Sequence, residues 1–255
     1  VFTLRSDCEV LTALLQEVFA EVVEVSERTA EDANTLAGIA EERARQAEVA
    51  RKREDEWRRQ ITFEADIGFI FKDKLAISPA GVEWQGRRWD LASVTRVRWG
   101  GTRTSVNGIP TGTQYTVAFG DRATCAEVQL KDEAVYTRFV DCLWRAVGVR
   151  LLTEYVEGLK GGRRYPFGSA FISDLGVEFE RRKLFSKNER VFCRWADVAV
   201  WCNAGYFYVG SAKDKELGVG LPYIGADNIH VVEAVLRTFL KKPGGERLSS
   251  LFEDQ

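Results

Sequence analysis

Methionine is absent from this sequence, and histidine occurs once, as His230. One histidine excludes a histidine triad or a His-rich metal site. Cysteine stands at five positions, Cys8, Cys125, Cys142, Cys193 and Cys202, an odd set without a C-x-x-C pair. That set fits neither a disulfide framework nor a zinc site, and a reducing cytoplasm is the expected compartment. An excess of one charge is lacking too, since Lys+Arg 36 against Asp+Glu 38 leaves a formal charge of -2. With no global positive field, nucleic acid is not expected as a partner, and an anionic membrane would need a local patch. Long apolar runs are also missing. The most apolar N-terminal stretch, Val10 to Val25, is interrupted by Gln16, Glu17, Glu21 and Glu24, which argues against a signal-peptide core or a spanning helix. The chain opens on Val1 rather than on an initiator methionine, which leaves room for residues ahead of it.

What is present is a globular composition. The 255 residues are 45% hydrophobic and 29% charged, enough for two ordinary cores or one large one. Residues 1–60 contain no proline and a single glycine, Gly38, and are rich in Glu, Arg and Ala, so one or two long helices are expected. Leu11, Leu14, Leu15, Val18, Val22 and Val25 form an apolar stripe at three- and four-residue steps. Thr29 and Asp32 have the spacing of a cap that would start a second helix. Beyond it Ala33, Ala37, Ala40, Ala44 and Ala47 repeat as a seam of small side chains, flanked by the i,i+4 pairs Glu41/Arg45, Glu48/Lys52 and Glu54/Arg58. Two readings stand for this arm. It is a coiled-coil-like oligomerisation or docking segment with interface residues Leu11, Leu15, Val18, Val22, Ala37, Ala40 and Ala44, or a hairpin packed on its own chain. Between Glu41 and Arg59 seven basic residues meet six acidic ones, which reads as a solvated face.

After residue 60 the pattern changes to short runs rich in Val, Phe, Tyr, Trp and Ile, punctuated by Gly, Asn and Pro, as strands and turns are. A repeat emerges there. Gly81-Val82-Glu83-Trp84 is followed by Leu91-Ala92-Ser93-Val94, and Gly176-Val177-Glu178-Phe179 by Trp195-Ala196-Asp197-Val198. Each copy runs on through strand-like segments to an amphipathic helix. The first helix has Asp132 as N-cap and a stripe of Tyr136, Phe139, Val140, Leu143 and Val147. The second starts at Asp227 or Asn228 and carries Val232, Val235, Leu236 and Phe239. The expected organisation is an α+β chain with a helical arm (1–60), two sheet-plus-helix units (61–152 and 153–242) and a C-terminal tail (243–255).

These units resemble the pleckstrin-homology-like (PH-like) superfold in its divergent bacterial form. The stretch from Phe167 to Val177 resembles the opening strand and hairpin, Trp195-Ala196-Asp197-Val198 the start of the mid-domain strand, residues Asn203 to Val209 the following turn and strand, and Asp227 to Leu240 the terminal helix. The resemblance implies, for each copy, an antiparallel sheet or partly open barrel plugged by its helix. In lipid-binding members basic residues cluster on the first hairpin loop, where this chain has only Lys72 and Lys74, with Asp73 between them.

Motifs that carry chemistry are sparse. The glycine-rich stretch Gly100 to Thr113 lacks the lysine of a P-loop and runs into the strand-like Tyr115-Thr116-Val117-Ala118-Phe119, so it reads as a long hairpin loop. His230 lies within Ile229-His230-Val231-Val232 and reads as structural, although a Cys/His centre with Cys193 or Cys202 is the enzyme alternative. The seven tryptophans, Trp57, Trp84, Trp89, Trp99, Trp144, Trp195 and Trp201, stand mostly at strand or helix-stripe positions and read as core more than as a base-stacking platform. The sharpest charge feature is a basic hairpin at 180–194, with Arg181, Arg182, Lys183, Lys187 and Arg190 as candidate ligands for an anion or acidic partner. The functional expectation is a non-catalytic protein-interaction module without cofactor or metal. Its alternative is peripheral binding to anionic lipid through that hairpin.

Overall fold

The computed structural model describes residues 37–68, 72–106, 109–181, 188–242 and 244–252. The chain divides into two compact units, residues 1–57 and 58–255. Helix α1 covers residues 37–61, and its last turn belongs to the second unit. Along α1 the side chains of Ala37, Ala40 and Ala44 are exposed, as are the larger Ile39, Val49 and Trp57. Lys52 reaches Glu48 at 2.7 Å as its spacing predicts, whereas Arg45 pairs with Glu42 one turn back rather than with Glu41. The stripe of Leu11, Leu15, Val18 and Val22 lies outside the described residues.

The second unit is mixed α+β with four antiparallel sheets and, among the described residues, no closed barrel. Strands β1 (Phe63–Ile67), β2 (Asp73–Ser78), β3 (Gly81–Trp84) and β4 (Arg87–Trp89) pair in chain order as one sheet. Strands β5 (Arg96–Val106), β6 (Ile109–Gly120) and β7 (Cys125–Leu130) make a second sheet, and helix α2 (Glu133–Leu143) follows. A π-helical turn, Trp144–Gly148, carries α2 directly into α3 (Val149–Lys160). The same order then returns. Strands β8 (Tyr165–Phe167), β9 (Ala170–Ser173), β10 (Gly176–Arg181) and β11 (Glu189–Arg194) form a four-stranded sheet. Strands β12 (Val198–Asn203), β13 (Tyr206–Ser211) and β14 (Gly218–Pro222) form a three-stranded one, and α4 (Ile229–Leu240) closes the half. The limit placed between residues 152 and 153 from the sequence falls inside α3.

The repeated Gly-Val-Glu-aromatic motif opens β3 and β10, and its glycine has a backbone reason. Gly81 has φ +139° and Gly176 φ +155°, where side chains are strained. A Cβ at either would also run into a carbonyl oxygen across the sheet, that of Trp89 or of Cys193.

Strand and helix periodicities account for the core. In β7, Ala126, Val128 and Leu130 point in while Cys125, Glu127 and Gln129 point out, the two-residue alternation of a half-covered sheet. Helix α2 is capped by Asp132, whose carboxylate accepts from Ala134 N and Val135 N, and it buries Phe139, Cys142 and Leu143. Helix α4 buries Val232, Val235, Leu236 and Phe239 from its expected stripe, together with Ile229 and Val231. The buried side chains of both halves form one continuous hydrophobic cluster.

Among the described residues, the stretch from Gly100 to Thr113 is strand, not loop. It is most of the long β5–β6 hairpin, paired from Arg96↔Gly120 out to Val106↔Ile109, with two residues between the strands. The β-branched Thr102, Thr104 and Thr113 favour strand structure there against the glycines.

Candidate functional site

The two halves meet where β5 of the first faces the start of α4 in the second. Asn228 occupies the position expected to cap α4 but makes no side-chain cap bond. Its φ of +62° is left-handed, a conformation asparagine tolerates better than most residues. It pairs with β5 instead. Asn228 N donates to Val97 O at 2.7 Å, Val97 N donates to Asn228 Oδ1 at 3.0 Å, and Asn228 Nδ2 donates to Thr95 O at 2.9 Å. The open edge of β5 is thereby satisfied by one residue acting as a short strand. Beside it, Arg98 bridges the seam by donating to Asp227 Oδ1 at 2.8 Å and to Glu127 Oε2 at 2.9 Å.

A column of rings runs through the same seam. Trp144 meets Trp99 edge-on at 6.1 Å, Trp99 stacks on His230 at 4.1 Å with ring planes 3° apart, and His230 stacks on Tyr223 at 4.6 Å. His230 Nε2 lies 2.8 Å from the Trp99 carbonyl oxygen, which can only accept, so this nitrogen carries the proton. Burial holds the imidazole below its ordinary pKa against the opposing pull of the Trp99 carbonyl and Glu233. His230 therefore sits as a neutral donor.

Tyr223 ends the column and opens a polar constellation on β12 and α4. Its hydroxyl donates to Glu233 Oε2 at 2.7 Å and lies 2.9 Å from Cys202 Sγ. Arg237 Nε donates to Glu233 Oε1 at 2.7 Å, and Arg237 Nη2 donates to Cys202 Sγ at 2.8 Å. The Cys202 thiol is in turn 3.3 Å from Glu233 Oε1, to which it can donate. Burial pushes the Tyr223 hydroxyl well up, reinforced by its bonds to Cys202 and Glu233, so it remains a phenol. Burial also raises Glu233, but hydrogen bonds from Tyr223, Arg237 and Cys202 outweigh it and hold the carboxyl below its usual range. Chemically this is an exposed thiol beside a guanidinium, with a carboxylate in reach of its proton.

His230 and Cys202 are not bonded to each other. Tyr223 touches both partners, while the imidazole is engaged by Trp99. Among the described residues no group of three His, Cys, Asp or Glu side chains is placed to hold a metal ion.

On the outer face of the same sheet, Trp201 stands opposite Tyr208 with rings stacked at 5.3 Å and 1° apart, and Tyr206 lies 6.0 Å from Tyr208. Trp201 is 43% exposed and Tyr206 40%. Trp201 therefore belongs to a surface aromatic row, not to the core as expected. A second apolar surface flanks a cavity of about 480 Å³ lined by Leu175, Phe192, Arg194 and Trp195.

Models of known protein families, curated proteins and solved structures were compared with the chain. None matches.

The basic hairpin lies where its strands were expected, with β10 and β11 paired from Gly176↔Arg194 to Arg181↔Glu189. Arg181 is ion-paired with Asp214, and Arg190 donates to Ser169 O, faces Glu178 at 3.7 Å and covers the Phe171 ring. Arg182, Lys183 and Lys187 lie outside the described residues. In the first half, Lys74 is paired with Glu64 at 2.8 Å. Sequence reasoning missed Glu233, Arg237 and Tyr223. The i,i+4 spacing of Glu233 and Arg237 was the one signal available, and it marks an ion pair without saying that a thiol joins it.

No helix among the described residues is long and apolar enough to cross a membrane.

Proposed function

We propose that the chain is a non-catalytic interaction module made of two PH-like units, whose partner is a protein docking on the second half. The order of four strands, three strands and a helix, present twice, supports the PH-like reading. The observation that carries the docking reading is the row of Trp201, Tyr208 and Tyr206. Tryptophan and tyrosine are the side chains that most often anchor protein interfaces, and contiguous exposed rings mark such surfaces. The arm extends the reading. Exposed Ile39, Val49 and Trp57 on α1 suit self-association or docking of the helix. Anionic lipid at the basic hairpin ranks second, because Arg181 and Arg190 already have acidic partners.

Affinity capture with the full chain tests the proposal, using Trp201→Ala/Tyr206→Ala as the comparison. Both side chains are part-exposed, so the double variant keeps its fold and loses the captured partner. Equal capture by parent and variant, or no capture above a tag control, overturns it.

A further inference from the structure

A separate cavity of about 170 Å³ lies in the seam on the other side of Asn228 from the ring column, lined among others by Thr95, Arg122, Glu154, Tyr155, Arg163 and Asn228. Tyr155 is only 8% exposed, and its hydroxyl has no hydrogen-bond partner among the described residues. The Thr95 hydroxyl beside it is equally without one. Two buried hydroxyls without a bond, on residues that line one small cavity, are costly unless something reaches them, since buried polar groups are nearly always bonded. Burial pushes the Tyr155 phenol far up, with Tyr165 adding to it, so it is a standing donor.

The cations point the same way. No ion pair or hydrogen bond occupies the guanidinium of Arg122 among the described residues, and that of Arg163 rests only on the Tyr165 ring at 5.8 Å. The one carboxylate on the wall, that of Glu154, is taken by Arg150. Asn228 and Val231 bring the first turn of the twelve-residue α4 to the wall, and the positive end of a helix favours an anion.

We infer that this cavity binds a phosphate-type oxyanion, held by Arg122, Arg163 and the hydroxyls of Tyr155 and Thr95. The cavity is roomy enough for several waters or one such anion, and it is too small for a large ligand to be enclosed. Every donor named is uncharged or cationic, and none needs to lose a proton to bind. Because its walls come from both halves, the bound anion also ties the halves together. The anion is either free, as phosphate or a small phosphomonoester, or the headgroup of an anionic lipid.

Titration calorimetry of the full chain with inorganic phosphate and with glycerol phosphate tests the site, alongside sedimentation with vesicles containing phosphatidic acid. Arg122→Gln and Tyr155→Phe are the variants. The first removes a charge at the surface, and the second removes one oxygen and keeps the ring stack. The expected result is saturable binding weakened about tenfold or more by Arg122→Gln and several-fold by Tyr155→Phe, the loss of one charge-assisted or one neutral hydrogen bond. Binding to vesicles alone, lost in Arg122→Gln, assigns the oxyanion to a lipid headgroup. Absence of binding in every arm, or binding unchanged in both variants, overturns the inference. The failure of this site would leave the protein-docking proposal untouched, since that rests on the ring row of Trp201, Tyr208 and Tyr206, none of which lines the cavity.

Discussion

Asn228 and Val97 hold each other as two strands of a sheet do, each donating its backbone N–H to the other, at 2.7 Å to a carbonyl and at 3.0 Å to a side-chain oxygen. The residue that opens α4 is thus also the closing strand of the first half's second sheet. This coupling makes the two halves one folded body and leaves α4 without a side-chain cap.

Asn228→Ala removes both side-chain bonds to β5 and places a Cβ-only side chain in a left-handed backbone, so a loss of about 2–3 kcal/mol is expected. Asn228→Gly relieves the backbone but not the bonds and falls between the two. Urea unfolding midpoints of the three proteins order them. A midpoint for Asn228→Ala equal to that of the parent shows that the seam does not depend on this residue.

His230 is the one imidazole, so any stability change near neutral pH that its removal abolishes belongs to it. Its pKa in the folded protein is depressed by burial, against the pull of Trp99 and Glu233, while the unfolded value is about 6.5. Between the two values the unfolded chain binds the extra proton, so stability rises with pH. The contribution is complete above about pH 6.5 and falls as the pH drops toward the folded value. Unfolding midpoints at several pH values between neutrality and mild acid should decline for the parent and stay flatter for His230→Gln.

Gly81→Ala and Gly176→Ala test whether the two motif copies are structurally equivalent. Each places a methyl group against a carbonyl oxygen at positive φ, so each is expected to cost more than about 1 kcal/mol. They lie in separate sheets, and their costs add in the double variant. A tolerated substitution at one position but not at the other, read by thermal unfolding, means that the copies differ at this turn.

Cys125 and Cys202 are both exposed but differently placed. Burial of its sulfur pushes the Cys125 thiol up, whereas Cys202 receives a guanidinium N–H from Arg237. Alkylation by iodoacetamide, followed by peptide mass mapping, is expected to modify Cys202 first, and Arg237→Gln to slow that reaction by about tenfold. An unchanged Cys202 rate in Arg237→Gln means that the Arg237 contact does not govern the reaction of this sulfur. The buried Cys142 and Cys193 serve as controls that label only on unfolding.

Much of the α+β architecture was legible from local pattern. Asp132 caps α2 because its side chain bonds to the turn that follows, and a capping residue announces itself within three positions. The stripe on α4 needed only the helical period. The long β5–β6 hairpin was misread as a loop because glycine and threonine signal both, and only the pairing partner decides between them. Trp201 was taken for core because tryptophan usually is, and its strand alternates with part-buried Val200 and buried Val198 only once the register with β13 is known.

Sequence alone determined the elements whose cause lies within a few residues: the helical period, the cap, and the glycine that opens each repeat. The tertiary structure decided everything that joins residues far apart in the chain. Val97 and Asn228 are 131 positions apart, and Cys202 and Arg237 are 35. Neither pair leaves a periodic trace. A hydrogen bond across a seam depends on where two backbones arrive, and that is set by the whole core they pack on. The repeat itself was visible as two similar copies. That the second copy closes the edge of the first, and that orphaned hydroxyls and free arginines meet in the same seam, became apparent only once the chain was folded.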